Sequence, residues 1–196
     1  MKLFHLDLND APCAAMPPCV ATIGFFDGVH RGHRYLIDGL KARANGVADM
    51  QSTVITFDSH PRLVLHQDYR PRLLNTAAEK VERLSLTGVD NCVVLHFNEA
   101  MASLSAREFM QTVLHDRLNV RTLVIGYDNR FGRNRSEGFE DYVRYGRETG
   151  IDVVHADAFT LNGVQVSSSV VRSFLSEGEV RMASMCLGYD YRLTGR

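Results

Sequence analysis

The side chains best suited to chemistry lie in a glycine-rich stretch that joins an apolar run to a helical pattern. This stretch, residues 24–33, reads Gly-Phe-Phe-Asp-Gly-Val-His-Arg-Gly-His. Gly28 and Gly32 allow the backbone to approach a ligand closely, and the following helix offers unpaired N–H groups and the positive end of its dipole. His30 and His33, three residues apart, project from the same turn. This combination predicts a phosphate-binding site.

The same histidines admit two other interpretations. Asp27, His30 and His33 have the residue types and the spacing of a zinc or iron site. Alternatively, the imidazoles cap a helix or fill a core and have no chemical role. The flanking glycines favour a ligand site over the purely structural interpretation, because they permit close approach of the backbone.

A second polar cluster lies late in the chain. Ser167, Ser168 and Ser169 precede an apolar helical run, and Arg172 follows one turn into it. Serines at this place are typical of a helix N-cap, and such an arginine is typical of a surface ion pair. A helix N-terminus with a nearby arginine is also an anion site, so the two interpretations are compatible.

Residues 130–135, with three arginines, form either charged surface or a lid over a ligand.

Alternating strand and helix patterns must position these residues. Short runs rich in Val, Ile and Phe predict buried strands over residues 19–26, 53–57, 92–97, 123–127 and 153–158. Apolar spacings of three and four predict helices over residues 35–44, 77–86, 106–118 and 140–148, the first beginning near Arg34. Capping-box pairs, Thr76 with Glu79 and Ser105 with Glu108, mark two helix starts. We expect an α/β fold with a doubly wound, Rossmann-like parallel sheet, helices on both faces, and ligands beyond the carboxyl ends of the strands.

The composition limits the classes of partner. The chain has 196 residues and a net charge of -1, with 22 basic residues scattered among 23 acidic ones, so no basic face for nucleic acid is expected. No stretch approaches the ~20 apolar residues of a membrane span, and residues 1–10 lack the apolar core of a signal peptide. We therefore predict a cytoplasmic protein with no nucleic-acid or membrane partner. The cysteines, Cys13, Cys19, Cys92 and Cys186, form no C-x-x-C pair and are expected to be structural free thiols.

Four segments, in order, resemble the motifs of one enzyme family. They are the glycine-rich stretch 24–33, Thr56-Phe-Asp-Ser-His-Pro61, Gly126-Tyr-Asp-Asn-Arg-Phe-Gly132 and Val166-Ser-Ser-Ser-Val-Val-Arg172. The first resembles the signature of nucleotidyltransferases with an H-x-G-H motif, in the form found in bacterial bifunctional riboflavin kinase/FAD synthetase proteins. The others resemble that family's T-F-x-P-H-P, G-x-D-F-x-F-G and S-S-T-x-I-R motifs. This chain departs from the motifs at Ser59, Asn129 and Ser169.

The resemblance covers nearly the whole chain and implies an FMN adenylyltransferase domain over residues 1–186. Residues 187–196 resemble the start of a linker to a riboflavin kinase domain, which is expected in the full-length protein. The implied reaction joins the AMP part of ATP to FMN, with FAD and pyrophosphate as products. Magnesium (Mg²⁺) is expected to accompany ATP, with few ligands from the protein.

The resemblance also implies roles for individual residues at the matching positions. Catalytic roles are implied for His30, His33, Ser168 and Arg172. Contacts with ATP are implied for Gly24, Phe25, Phe26, Asp27, Gly28, Gly32, Gly126, Asp128, Ser167 and Ser169. Contacts with the flavin are implied for Phe57, His60, Pro61, Phe131 and Arg135. Taken singly, Phe57, Pro61 and Phe131 are more typical of packing residues than of ligand contacts.

Three other functions remain open at the level of the sequence. A relative with the same phosphate chemistry could use nicotinamide mononucleotide, pantetheine phosphate or a polyol phosphate as its acceptor. A non-catalytic nucleotide-binding module could keep the fold without the reaction. A metal-dependent hydrolase could use Asp27, His30 and His33 together with Asp58 or His60. The form of the second and third motifs favours FAD synthesis over the other acceptors.

Overall fold

A central parallel sheet organises the part of the chain that the computed structural model describes, which is residues 1–10, 16–60, 72–127, 129–133 and 136–193. Its strands are β1 (Lys2–Leu6), β2 (Cys19–Ile23), β3 (Gln51–Phe57), β4 (Asn91–Leu95), β5 (Val120–Ile125) and β6 (Asp152–His155). They lie in the order β1-β4-β3-β2-β5-β6, and each neighbouring pair is parallel. The predicted α/β fold with a doubly wound, Rossmann-like sheet is confirmed.

Helices connect the strands and pack against the sheet. A 3-10 turn at Asp27–Val29 precedes α1 (Arg31–Asn45), and the later helices are α2 (Ala77–Ser85), α3 (Glu99–Ser103), α4 (Ala106–Phe109), α5 (Phe139–Thr149), α6 (Ser168–Ser176) and α7 (Val180–Leu187). Both predicted capping boxes are present. The hydroxyl of Thr76 accepts the N–H of Glu79, and that of Ser105 accepts the N–H of Glu108, while each glutamate side chain bonds back to its cap.

Alternate residues of the strands face opposite sides of the sheet. On one side, Ala21 and Ile23 of β2 are buried in a core with α4 and α5. On the other side, Val20 is buried with Ile37 and Leu40 of α1. Because both faces are covered, the central strands β2 and β4 are buried along their whole length, which is why they were predictable as continuous apolar runs.

The strand order reverses beside β2. From β2 the chain builds outward through β3 and β4 on one side, and through β5 and β6 on the other. In open parallel sheets, the loops that leave the carboxyl ends at such a point diverge and open a crevice for ligands. Gly24 follows β2 and Gly126 follows β5, so both lie at this crevice.

The structure differs from the sequence prediction at several places, and the short helix α3 is one element that no pattern predicted. Strand β1 was not predicted, because an edge strand with one partly exposed face does not form a continuous apolar run. Helix α1 begins at Arg31 rather than near Arg34, since His30 serves as its N-cap. The predicted helix 106–118 becomes π-helical at Met110–His115. A short antiparallel pair, β7 (Thr160–Leu161) and β8 (Val164–Gln165), was also missed.

Two expectations from the composition can be compared with the structure. Cys19, Cys92 and Cys186 are buried free thiols, as expected of structural cysteines, whereas Cys13 lies outside the described residues. Burial raises the pKa of Cys19 and that of Cys92 to about 11, so both thiols stay protonated at neutral pH. Within the described ranges, no helix has both the length and the apolar character needed to cross a bilayer.

Candidate active site

A cavity of about 280 Å³ lies at the crevice between β2 and β5. Its wall is formed by Ile23, Gly24, Phe25, Phe26, Asp27, His33, Leu36, His60, Arg72, Leu73, Gly126, Asn129, Ser168 and Arg172. The ends of two neighbouring strands, the first turn of α1 and the start of α6 therefore contribute to one site. Its volume is near the lower end of the range for small-molecule sites, about 300–1,000 Å³.

The glycine-rich turn (residues 26–33) has an unusual backbone. Phe26, Gly28 and Val29 have positive φ angles of 55°, 80° and 37°. Such angles are uncommon for any residue with a side chain and are strained for a β-branched valine. A Cβ added to Gly28 would lie only 2.7 Å from Cδ1 of Leu74, so glycine is needed there for space as well as for conformation. Strain of this kind is typical of ligand-binding turns.

The two histidines of the turn are arranged as neutral donors. Nδ1 of His30 accepts the backbone N–H of His33 at 3.3 Å, which assigns the proton of the neutral imidazole to Nε2. The two rings stack, with centroids 3.6 Å apart and planes 17° apart. Burial, with a smaller effect of the Arg172 charge, lowers the pKa of His30 to about 4. Burial lowers the pKa of His33 well below its usual value, and repulsion from the positive charge that His30 carries when protonated lowers it further. Both imidazoles are therefore neutral at pH 7.

His33 is the histidine that reaches the cavity. It forms part of the wall, whereas His30 is 4% exposed and stacks against it outside the lining. Nδ1 of His33 is buried and makes no hydrogen bond to any residue that the structure describes. A buried polar nitrogen in this state is rare in native proteins.

An ion pair joins the turn to the serine–arginine segment (residues 167–172). Nη1 of Arg172 lies 2.7 Å from Oδ2 of Asp27, whose side chain is 7% exposed. The backbone N–H of Leu74 donates to Oδ1 of the same carboxylate at 2.8 Å. Burial raises the pKa of Asp27, and the Leu74 hydrogen bond and the Arg172 charge oppose this rise. A carboxylate repels phosphate, so Asp27 is placed to orient Arg172 rather than to contact an anion directly.

The turn and the segment also touch through their backbones. The hydroxyl of Ser168 donates to the carbonyl of Asp27 at 2.9 Å. A Cβ added to Gly32 would lie 3.0 Å from the carbonyl oxygen of Val166. The absence of a side chain at Gly32 therefore serves the approach of these two segments, and Gly32 does not line the cavity.

The three serines have different contacts. The hydroxyl of Ser167 accepts the N–H of Val170 at 3.3 Å and caps α6, as the N-cap interpretation predicts. Ser169 accepts a hydrogen bond from Nη2 of Arg172 at 3.1 Å. Only Ser168 among them lines the cavity. Arg172 is thus held from two sides, by Asp27 and by Ser169.

The residues predicted to contact ATP separate into two groups. Those in the cavity wall are Gly24, Phe25, Phe26, Asp27 and Gly126. Those that support the wall from outside the lining are Gly28, Gly32, Ser167 and Ser169. The wall also contains residues that sequence analysis did not assign to a site, which are Ile23, Leu36, Arg72, Leu73 and Asn129. Of these, only Asn129 carried a signal, as a departure from its motif, and its amide donates to the carbonyl of Ile23.

The residues predicted to contact a flavin are dispersed. His60 lines the cavity, and its ring meets Phe25 edge-on with centroids 4.7 Å apart. Phe57 is outside the lining and packs edge-on against Phe97 at 5.4 Å. A flavin role for His60 is thus compatible with its position, whereas Phe57 is placed beside the site.

Phe131 is a core residue in this structure. Its ring stacks on Tyr142 with centroids 4.3 Å apart, and the Tyr142 hydroxyl bonds to both the N–H and the carbonyl of Phe131. The ring is therefore committed to packing, and its predicted flavin contact gains no support from its position. Three further predicted contacts, Asp128, Pro61 and Arg135, lie outside the described residues.

Lys80 of α2 is a residue near the site that sequence analysis missed. It is 4% exposed, and its ammonium donates to the carbonyl of Phe57 at 2.8 Å. The same ammonium lies 4.0 Å from the ring centroid of Phe25. Burial lowers the pKa of Lys80 to about 8, and nearby acidic groups, among them Asp27 and Asp58, limit the fall. Within a helical pattern this lysine is indistinguishable from a surface residue, so no sequence signal marked it.

A second cavity, of about 130 Å³, lies at the carboxyl ends of β1, β3 and β4. Nδ1 of His96 lies 2.5 Å from Oδ2 of Asp58, and the N–H of Phe97 donates to Oδ1 at 3.2 Å. The hydrogen bond and the charge of Asp58 raise the pKa of His96. These contacts tie the loop after β3 to the loop after β4. Sequence analysis had considered Asp58 only as a possible metal ligand.

The metal interpretation of the turn finds no support in its geometry. Among the residues that the structure describes, no group of three or more His, Cys, Asp or Glu side chains is arranged to hold an ion. Asp27 is engaged by Arg172, and the rings of His30 and His33 stack instead of converging on a point. Neutral N–H donors on one side and a guanidinium on the other suit an anion.

Comparison with known proteins gives consistent relatives. A family model described as FAD synthetase matches residues 14–170. A bifunctional riboflavin kinase/FMN adenylyltransferase from Escherichia coli (strain K12) is 35% identical over 196 residues, which are 100% of this chain and 62% of that protein. A protein of the same description from Pseudomonas fluorescens is 37% identical over 178 residues, which are 91% of this chain and 57% of that protein. The chain therefore spans less than two thirds of the length of these relatives.

A solved structure has the same fold. It is described as a macrolide-efflux protein from Streptococcus pneumoniae, and it matches with a TM-score of 0.81 and 25% sequence identity. The match covers 97% of this chain and 72% of the other. The parallel sheet with helices on both faces is thus shared over almost the whole of the chain.

Proposed function

The chain belongs to the FAD synthetase family, and on this premise we propose that it transfers the adenylyl group of ATP to FMN, giving FAD and pyrophosphate. The observation that carries the proposal is the meeting of the glycine-rich turn and the serine–arginine segment at one cavity, joined by the ion pair of Asp27 and Arg172. The cavity lies where doubly wound sheets bind nucleotides.

The shape of the site supports one orientation of the substrates. The triphosphate of ATP would lie beside His33 and Arg172, because both residues line the cavity and carry N–H donors. Adenine would lie near Gly24 and Gly126, at the ends of β2 and β5. The flavin ring would lie on the side of His60. Among the described residues that the sequence predicts to contact the flavin, His60 is the one in the cavity wall.

The reaction requires no covalent intermediate on the enzyme. The second pKa of a phosphate monoester is about 6, so the phosphate of FMN is a nucleophile near neutral pH. One of its oxygens would attack the α-phosphorus of ATP in line with the bond to the bridging oxygen of the β-phosphate. The new phosphorus–oxygen bond forms FAD while the bridging bond breaks, and pyrophosphate leaves with the bonding electron pair.

The protein would supply alignment and charge stabilisation. The neutral imidazole of His33 would donate an N–H group from the cavity wall, with His30 stacked behind it, and Arg172 would place a positive charge beside the phosphates as negative charge moves to pyrophosphate. The N-terminus of α6 adds backbone N–H groups and its dipole on the same side. Magnesium would arrive with ATP, held mostly by phosphate oxygens and water.

The direct test is to incubate the protein with FMN and magnesium ATP and to measure FAD by chromatography and pyrophosphate by a coupled assay. We expect equal amounts of the two products. Parallel reactions with nicotinamide mononucleotide, pantetheine phosphate and a polyol phosphate test the other acceptors. Product from one of these without FAD would identify the acceptor instead. Binding of ATP with no product from any acceptor would indicate a non-catalytic module.

We also propose that the full-length protein contains a riboflavin kinase domain. The curated relatives are named for both activities, and this chain covers 62% of one and 57% of the other. Such a domain would phosphorylate riboflavin and so make the FMN that this site consumes. A cytoplasmic location fits both reactions, because each uses ATP.

A further inference from the structure

The chain after α7 folds back onto the glycine-rich turn. Gly188 ends α7 with a left-handed φ of 77°. A Cβ at this position would lie 3.1 Å from both Cγ and Nε of Arg31, the first residue of α1. Gly188 therefore lets the backbone pass close over the start of α1, and this brings the next residue, Tyr189, beside the turn.

Tyr189 makes a direct hydrogen bond to the turn. Its hydroxyl donates to the carbonyl of Gly28 at 2.6 Å. Burial raises the pKa of Tyr189, so the phenol remains protonated at neutral pH and can donate. Gly28 is the residue at the centre of the left-handed backbone between Phe26 and Val29. The bond therefore holds the part of the turn whose backbone has unfavourable positive φ angles.

The ring of Tyr189 is held between two arginines. The guanidinium carbon of Arg83, on α2, lies 3.3 Å from the ring centroid, and that of Arg34, on α1, lies 5.7 Å from it. Contacts between guanidinium groups and tyrosine rings are attractive. Tyr189 thus connects α1, α2 and the turn, and its segment is also held by the approach of Gly188 to Arg31 and by the packing of Tyr191.

A shared peptide plane links this bond to the histidines. The carbonyl of Gly28 and the N–H of Val29 belong to one planar peptide group, so holding one fixes the other. The Val29 N–H in turn donates to the carbonyl of Phe26 at 3.1 Å. His30 follows directly and caps α1 through the His33 N–H. The orientation of both imidazoles therefore depends on the peptide plane that the Tyr189 hydroxyl holds.

We propose that Tyr189 is a positioning residue for adenylyl transfer, which holds the glycine-rich turn in its left-handed conformation through the carbonyl of Gly28. This inference rests on the proposed function for the identity of the reaction, but the structural contact can be tested without it. The Tyr189 hydroxyl is one path by which a displacement of the chain after α7 would reach His30 and His33, beside the packing of Leu187 near Gly28.

The test compares Tyr189→Phe with Tyr191→Phe. The first removes only the hydroxyl and keeps the ring between the arginines. The second is the matched control, because Tyr191 packs in the same apolar cluster and its hydroxyl makes no hydrogen bond to the described residues. For Tyr189→Phe we expect kcat for FAD formation to fall about fivefold, the size of effect that the loss of one hydrogen bond produces. KM for FMN should stay within about twofold of the original value, since the flavin side of the site is not touched.

Amide hydrogen exchange provides a readout that does not depend on activity. In Tyr189→Phe, exchange in the peptide covering residues 27–33 should be faster by about fivefold, because one hydrogen bond is lost there. Tyr191→Phe should leave this peptide unchanged. Tyr189→Leu, which also removes the contact with Arg83, should have a larger effect on the same peptide.

The outcomes separate this proposal from the proposed function. If the original protein makes no FAD but Tyr189→Phe speeds exchange in the turn, the contact stands and the assigned reaction fails. If FAD is made and Tyr189→Phe changes neither kcat nor exchange, Tyr189 has no positioning role. Equal losses in Tyr189→Phe and Tyr191→Phe would likewise overturn it, because they would indicate general loosening of the segment.

Discussion

The glycine-rich turn and the serine–arginine segment face the same cavity but are held in different ways. In the turn, Asp27 is 6% exposed and His30 is 4% exposed, and the left-handed residues Phe26 and Val29 are packed into the core. In the segment, the side chain of Arg172 is 35% exposed, and polar bonds determine its position. Packing therefore fixes the turn before any ligand arrives, whereas the segment can adjust to the ligand.

The two regions also differ in charge. The turn presents imidazoles that are neutral at pH 7, with the pKa of His30 lowered to about 4. The segment presents the guanidinium of Arg172, which is always charged. Neutral donors act over a short range and a fixed direction, whereas a charge attracts a polyanion from a distance. We therefore expect substitutions in the turn to affect mainly kcat, and substitutions in the segment to affect the affinity for ATP as well.

The largest expected effect is that of Arg172→Ala. It should lower kcat by about two orders of magnitude, because a charged donor to the transition state is lost. It should also raise KM for ATP by about tenfold, because the positive charge that attracts the bound ATP is lost. Steady-state kinetics with varied ATP measures both, and Arg181→Ala, an exposed arginine of α7, is the control. An unchanged KM for ATP would remove the distinction between the segment and the turn.

His33→Ala is expected to lower kcat by about two orders of magnitude, since a preplaced donor is removed from the transition state. KM for ATP should change by less than about threefold, because a neutral donor contributes little to the attraction of the substrate. The control is His115→Ala, because His115 precedes the amino end of β5, whereas the cavity lies at the carboxyl ends of the strands. A loss confined to KM would place His33 in substrate binding and contradict the assignment of the turn.

The neutral state of the turn predicts how stability depends on pH. Burial lowers the pKa of His30 from its ordinary value of 6.5 to about 4 in the folded chain, so the unfolded chain binds the extra proton between these values. The contribution of neutral His30 to the unfolding free energy should be fully present above pH 6.5 and should be lost as the pH decreases towards 4. His30 alone should lower the unfolding free energy by about 2 kcal/mol between pH 7 and pH 5. Chemical denaturation at these two pH values measures the change.

His30→Asn tests this dependence, because asparagine keeps an N-cap acceptor but has no titrating ring. The difference in unfolding free energy between pH 7 and pH 5 should be smaller in this variant by about 2 kcal/mol. Asp27 has a raised pKa and acts in the opposite direction, but it is present in both proteins and its effect cancels in the comparison. Equal pH dependences in the two proteins would mean that the pKa of His30 is not lowered in the folded chain.

The smallest effect is expected for Lys80→Met, outside both regions. It leaves the Phe57 carbonyl without its donor and should lower the unfolding free energy by about 1 kcal/mol. Because Lys80 also contacts Phe25 in the cavity wall, kcat/KM should fall by about fivefold, corresponding to about 1 kcal/mol. Lys41→Met is the matched control, since its ammonium donates to the carbonyl of Thr87 at 2.6 Å away from the cavity. Loss of activity in both variants would show that stability alone is responsible.

The sequence predicted those parts of the molecule that local patterns determine. Strand β2 and helix α1 follow from apolar periodicity, and the capping boxes at Thr76 and Ser105 follow from single side-chain bonds within one turn. The assembly of the turn with the segment was predicted through motif order, although no local rule specifies that Arg172 bonds to Asp27. The start of α1 was misplaced because histidine is not among the usual N-cap residues.

Contacts between distant parts of the chain could not be predicted from local patterns. Lys80 is buried because α2 packs over Phe25, in the loop after β2, and Phe57, the last residue of β3, and a lysine at a helical position carries no mark of this. Phe131 lies in an aromatic motif, yet packing against Tyr142 commits its ring to the core. In both cases tertiary packing, rather than residue type, decides the role.

A crystal structure of the protein with magnesium and a non-hydrolysable ATP analogue would show directly whether the two regions hold the same triphosphate. We expect one triphosphate within hydrogen-bond distance of both His33 and Arg172, with the glycine-rich turn unchanged and Arg172 adjusted to the phosphates. A nucleotide bound with its phosphates away from either residue, or a turn that rearranges to meet them, would contradict this expectation.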